Sequence, residues 1–415
     1  MEPIDKAASV REVVYIHDKL ETEIDEVKNL EHYGIRIEKA NSNPASRITY
    51  LYDAANFAPV GMDYTNDVFN YGSWGDAFFV KGNRPVMLNA DRTVAYELDA
   101  SDYSKKLDGT ASDIDDETTT LNAMSEFPLI WLYQHEDENY EYIEIANYQI
   151  NDNFVADAFT RADGTIADYM YLPIYGGSYD GTKLRSLSGQ VLANNTTMQT
   201  EFNYAAANGA GWTVIPWCRR NLINCLLLII GKSENVKAVF GNGNISGYVD
   251  DAAQNYGVFG TGRLDDKGQF YGTNDSASQV KVFHMEKVWG DRWDRVAGYI
   301  CDKGRIKVKM SPPYNLTASG YVDTGIDAPT AHGYQKDSYM TRYGRFPKTT
   351  TGASATTYLC AYYYINLGIV AIALVGGHCD AGAVCSAAFV HLNGAETYAG
   401  WYIGASLSCE SPSAA

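Results

Sequence analysis

Between residues 361 and 400 the chain contains no lysine, arginine, glutamine, methionine or tryptophan. Positive charge is scarce throughout: 33 Lys and Arg stand against 51 Asp and Glu, a formal charge of -18, and the longest basic cluster is Arg219-Arg220. Phosphate backbones and anionic lipid surfaces both demand a basic stripe, so nucleic acid and charged membranes are excluded as partners. The longest apolar runs, 226–230 and 369–375, are far too short to cross a bilayer. The opening Met1-Glu2-Pro3-Ile4-Asp5 lacks the charged-then-apolar pattern of a secretory leader. The expectation is a soluble protein made in a cytoplasm, with no signal peptide and no membrane insertion.

Cysteine is present without a pattern. The seven, at 218, 225, 301, 360, 379, 385 and 409, include no Cys-x-x-Cys pair, which removes the usual structural zinc site. Cys379 and Cys385 read as buried thiols rather than a redox or metal pair. Catalytic signposts are missing as well: there is no Gly-x-Ser-x-Gly, no His-Glu-x-x-His and no glycine-rich phosphate loop before a helix. Paired carboxylates remain, either Glu141 with Glu144 or Asp163 with Asp168. On a strand Glu141 and Glu144 would point to opposite faces and could not share one groove. Asp250-Asp251 and Asp265-Asp266 supply oxygen ligands but read as solvated turns. No enzyme activity, cofactor or metal is expected.

What the chain has in excess is tyrosine, 32 of 415 residues. Tyrosine joins a large contact area to a polar tip and few rotamers, which suits recognition surfaces, and it also favours strands. Over 7–31, Val10, Val13, Ile16, Leu20, Ile24, Val27 and Leu30 recur at three- and four-residue steps. They predict a helix whose apolar stripe either joins identical subunits as a short coiled coil or packs on its own chain. Turn signals and short apolar runs then predict a small β-rich domain over 33–120, including a hairpin of 86–88 with 95–98, closed by an acidic loop over 105–120. Paired strands are expected at 127–133 and 140–145. Two helices follow at 197–208 and 217–230, ended by Gly209, Gly211 and Gly231. A third unit would run over 121–415. In 284–296, Trp289 and Trp293 are expected in the core, with Arg292 and Arg295 paired to carboxylates.

The segment 361–409 obeys two rules at once. Gly376, Gly377, Gly382, Asn393, Trp401 and Gly404 sit where turns, a buried ring and a close backbone approach are needed. Among them stand Tyr362, Tyr363, Tyr364, Asn366, His378, Asp380, Val384, Ser386, His391, Asn393, Glu396, Tyr398 and Tyr402, which share no size, polarity or period. A packing role would impose one. These residues are the candidate ligand-binding set.

The segment resembles the variable region of proteins diversified by retroelements, in which template adenines are copied into other bases. An asparagine codon ending in a pyrimidine and randomised at its first two bases yields Tyr, His, Asp, Ser, Ala, Val, Gly or Cys, but never Lys, Gln, Met, Trp or Glu. Glu396 departs from that set. Over about 30–409 the chain also resembles a family of bacteriophage tail proteins, through Glu126-Phe127-Pro128, Phe159-Thr160-Arg161, Asp168-Tyr169-Met170-Tyr171, Arg185-Ser186-Leu187-Ser188-Gly189, Gly241-Asn242-Gly243-Asn244 and the run 284–291. The resemblance implies an α+β architecture: a C-type-lectin-like (formylglycine-generating-enzyme-like) domain with a variable lobe at about 358–409, behind an N-terminal helix and a small β-rich domain. It further implies a non-enzymatic receptor-binding protein of the tail tip, part of the virion. Such a protein adheres to a bacterial surface receptor, protein or glycan, beside other tail proteins; the helix over 7–31 would join copies into a homo-oligomer, a trimer being favoured, that binds through avidity. The alternatives are a structural tail or baseplate assembly protein, and a tail-associated glycan hydrolase.

Overall fold

The computed structural model describes residues 29–251, 255–354 and 357–412. The helix expected over 7–31, and the coiled coil with it, falls almost entirely outside them. Strand predominates, at 34% against 10% helix, in several sheets of which one curls into a half-barrel. The α+β, C-type-lectin-like expectation is therefore corrected. Both helices expected from the sequence form, as Met198–Ala206 and Trp217–Gly231. Trp217–Gly231 is buried among the sheets, Met198–Ala206 buries only Met198, Glu201 and Ala205, and the strands carry the fold.

Three sheets account for most of it. A four-stranded antiparallel sheet runs in the order Ile48–Tyr52, His32–Glu38, Tyr140–Ala146, Trp131–Glu136. A seven-stranded sheet runs Trp212–Val214, Leu407–Glu410, Tyr169–Pro173, Asn122–Pro128, Arg84–Leu88, Val94–Asp99, Asp102–Lys106. The expected hairpin of 86–88 with 95–98 is part of it. Strands from both sides of residue 120 share these two sheets. The third, eight-stranded sheet is centred on the long strand Trp293–Asp302, with Val370–Val375, Val390–Leu392, Tyr362–Ile365 and Gly333–Tyr334 following on one side, while Ile403–Gly404 pairs with its start. The C-terminal segment thus begins in one large sheet and ends in another.

Helix Trp217–Gly231 is apolar nearly all round and buried accordingly. Its two arginines survive burial because carbonyl oxygens meet them. Arg219 donates to Ala158 and Cys409, and Arg220 to Val288 and Ala387. The run 284–296 is interior, with Trp289 and Trp293 buried as expected. Arg295 pairs with the buried Glu201. Arg292 instead donates to the carbonyls of Leu192 and Ala193, a correction to the carboxylate partner expected for it. Gly376 and Gly377 both hold left-handed backbone, φ +91° and +85°; a Cβ on Gly377 would stand 2.4 Å from the Cys385 sulfur.

Candidate functional site

Strand Tyr362–Ile365 alternates half-buried and buried positions, so Tyr362 and Tyr364 share one face while Tyr363 and Ile365 enter the core. Strand Val390–Leu392 lies parallel to it and sets His391 opposite Tyr364. From there the rings continue without a break. Tyr334 stands 5.0 Å from Tyr362, Tyr362 5.1 Å from Tyr364, and Tyr364 5.3 Å from His391. His391 stacks on Tyr398 at 5.7 Å, with the ring planes 14° apart. The Tyr398 and Tyr402 hydroxyls meet at 2.7 Å. Tyr402 leads to His378, His378 to Trp401, and Trp401 to Tyr256 and Tyr248. Beneath the strip, the buried Trp293 touches both His378 and His391.

The backbone under this strip is fixed from outside. In 394–402, the Gly394 carbonyl accepts from Ile372 N–H, Glu396 from Met198, Gly400 from Asn195 and Tyr402 from Trp293. The Tyr398 carbonyl accepts from the Arg295 guanidinium. The other loop is held alike: Cys379 N–H donates to Asp291 and Gly382 N–H to Ile245, while the Cys379 carbonyl accepts from Tyr248 and the Ala383 carbonyl from Lys237 Nζ. Apart from Arg295 and Lys237, every one of these partners is a main-chain group. Within 366–393 the candidate side chains of Asn366, His378 and His391 also take backbone N–H groups, those of Gly368, Asp380 and Asn393, but over 394–402 the loop is placed by partners outside the candidate set, so side chains there can change while the path stays.

The candidate residues divide accordingly. Tyr362, Tyr364, His378, Tyr398 and Tyr402 are half-buried members of the strip, and His391 is its most buried, 7% exposed. Asp380 is exposed beside it. Tyr363, 3% exposed, and Ser386, 5% exposed, are interior residues, and Val384 packs on the core. Asn366 accepts the Gly368 N–H and caps a turn, and Asn393 donates its N–H to His391. Exposed Glu396 lines a separate cavity. Trp401, expected as a buried ring, is half-exposed and belongs to the strip. Tyr248, Tyr256 and Tyr334 join the strip with only the excess of tyrosine to signal them, and His332, 5.5 Å from Tyr364, joins it with no signal in the sequence.

Burial holds both His378 and His391 down to about 4 from the usual 6.5. The strip is then uncharged at neutral pH and offers ring faces and hydroxyls. The stability that these neutral imidazoles give is present above about pH 6.5 and is lost as pH falls through about 4, because the unfolded chain takes up protons first. Proton NMR should find both rings neutral at pH 6, with melting temperature falling between pH 6 and 4; titration of both near 6.5 would contradict the packing described.

Other expected chemistry finds structural partners. Glu141 pairs with Arg345, and Glu144 with His32 and His135, so the two carboxylates do not meet. Asp163 closes a turn onto Thr165, and Asp265 accepts from Tyr175 and Ser188. Cys379 and Cys385 donate to different carbonyls, those of Tyr256 and Gly376. Among the described residues, no three His, Cys, Asp or Glu cluster as metal ligands and no helix is long and apolar enough to cross a membrane. No protein-family model matches the chain, and no curated protein matches it.

Proposed function

We propose that this chain is a non-enzymatic recognition protein and that the aromatic strip of its C-terminal segment grips a ligand on a bacterial surface. The observation that carries this reading is the division of labour in 394–402: partners outside the candidate set hold the loop backbone, and Tyr398 and Tyr402 stand half-buried at its surface. That is what a surface needs if it must change specificity without refolding. The resemblance to phage tail proteins supplies the setting, a receptor-binding protein at the tail tip, and randomised asparagine codons, with which most of the segment's residue composition agrees, would supply a route to its variation. Half-exposed Tyr and Trp give large contact areas at small entropic cost. One such face binds weakly, and several copies on one particle bind through avidity.

The test is direct binding of fluorescently labelled protein to a panel of Gram-negative and Gram-positive bacteria. Saturable binding to at least one strain, displaced by unlabelled protein, is expected. Absence of saturable binding across the panel overturns the reading.

A further inference from the structure

A cavity of about 650 Å³ opens between helix Met198–Ala206, the strand Trp212–Val214 and the loop 312–317. It shares no residue with the aromatic strip, and its size is that of a small-molecule pocket. Its wall is unlike that of an accidental cleft. Phe202, Trp212 and Tyr314 contribute rings. The Trp212 indole N–H is already donated to the Ala90 carbonyl at 2.8 Å, and the Tyr314 hydroxyl sits 3.8 Å from the Cys218 sulfur. What these two rings have left for a guest is hydrocarbon.

The polar part of the lining joins three carboxylates to the hydroxyls of Thr160, Thr213 and Thr317 and the amides of Gln199 and Asn315, which both donate and accept. Asp157, Glu396 and Glu410 bring carboxylates. Asp157 is paired with Arg342 at 2.9 Å and Glu410 with Arg92 at 3.4 Å. Arg219, the one cation in the lining, has its Nε and Nη1 committed to Ala158, Ser408 and Cys409. The lining itself carries three carboxylates and one guanidinium, and Arg342 and Arg92, outside it, neutralise two of the carboxylates, so little net charge is left to draw a phosphate or a polyamine. Ring faces beside oxygen acceptors fit a guest that is apolar on one side and rich in hydroxyl donors at its edge.

We propose that this cavity binds a neutral saccharide of one or two rings, with ring C–H groups on Phe202 and Tyr314 and hydroxyls donating to Glu396 and Glu410. The site is independent of the strip and does not rest on the reading given to it. Glu396, exposed on the loop 394–402, reaches the cavity and would tune which sugar is accepted.

The experiment is saturation-transfer NMR on the full chain with maltose, lactose and N,N′-diacetylchitobiose, using glucose 6-phosphate and spermidine as charged controls. At least one neutral disaccharide should receive transfer. Phe202→Ala and, because it is exposed and tolerant, Glu396→Gln should each weaken that binding by about tenfold. The Tyr398→Ala/Tyr402→Ala protein should bind it unchanged. No transfer to any neutral disaccharide, preference for either charged control, or binding indifferent to both cavity variants overturns the proposal. Loss of cell binding alone leaves the cavity result standing, so the two readings fail separately.

Discussion

Replacing Tyr398 and Tyr402 together by alanine is expected to weaken binding to the target cell about a thousandfold. The two rings sit at the middle of the strip, joined through their hydroxyls and flanked by His391 and His378. Central aromatic anchors contribute about 2 kcal/mol each when truncated, and about 4 kcal/mol is close to three decades in affinity. Multivalent attachment multiplies the loss, because each weakened face lowers the avidity of the whole particle. Tyr→Phe at both positions removes only the hydroxyl contact and should cost far less. The readout is the displacement isotherm on cells.

The largest expected effect on stability lies elsewhere. Arg345, on strand Gly344–Thr349, meets Glu141 and Glu234 at 2.6 Å each, and Glu234 also meets Arg47 at 2.6 Å. Glu141 comes from the four-stranded sheet and Glu234 follows helix Trp217–Gly231, so one guanidinium ties three parts of the chain. Arg345→Ala leaves Glu141 without its cation and Glu234 with half its neutralisation, both side chains almost fully buried. Breaking a buried ion pair in this way costs about 3–5 kcal/mol. Denaturant unfolding should register that loss as an earlier midpoint. A change below 1 kcal/mol would mean that water reaches the carboxylates.

How much of this could be read from the residues depended on how local the signal was. The helices at Met198–Ala206 and Trp217–Gly231 were legible from apolar spacing and closing glycines, and the Arg84–Leu88 with Val94–Asp99 hairpin from its turn. The fold class was not legible. It is decided by pairings such as His32–Glu38 with Tyr140–Ala146 and Tyr169–Pro173 with Leu407–Glu410, which join segments far apart in sequence and leave no local mark. The same limit governed the site. Tyr362, Tyr363 and Tyr364 look alike as letters, and only the pleat sends the middle one inward. Trp401 looked like a core ring because nothing nearby in sequence shows Tyr248 and Tyr256 arriving beside it. Ser386 fitted the compositional pattern of a variable position yet lies inside, since composition reports how codons vary and not which way a side chain faces.

Melting temperature, measured on the same Tyr398→Ala/Tyr402→Ala protein whose cell binding is expected to fall, tests whether the loop backbone is held independently of these side chains. If the N–H groups of Ile372, Met198, Asn195 and Trp293 and the Arg295 guanidinium, donating to the loop carbonyls, fix the loop, the variant melts cooperatively within about 4 °C of the parent chain. A collapse of the transition, or a drop several times larger, would make the two tyrosines part of the framework and contradict the account.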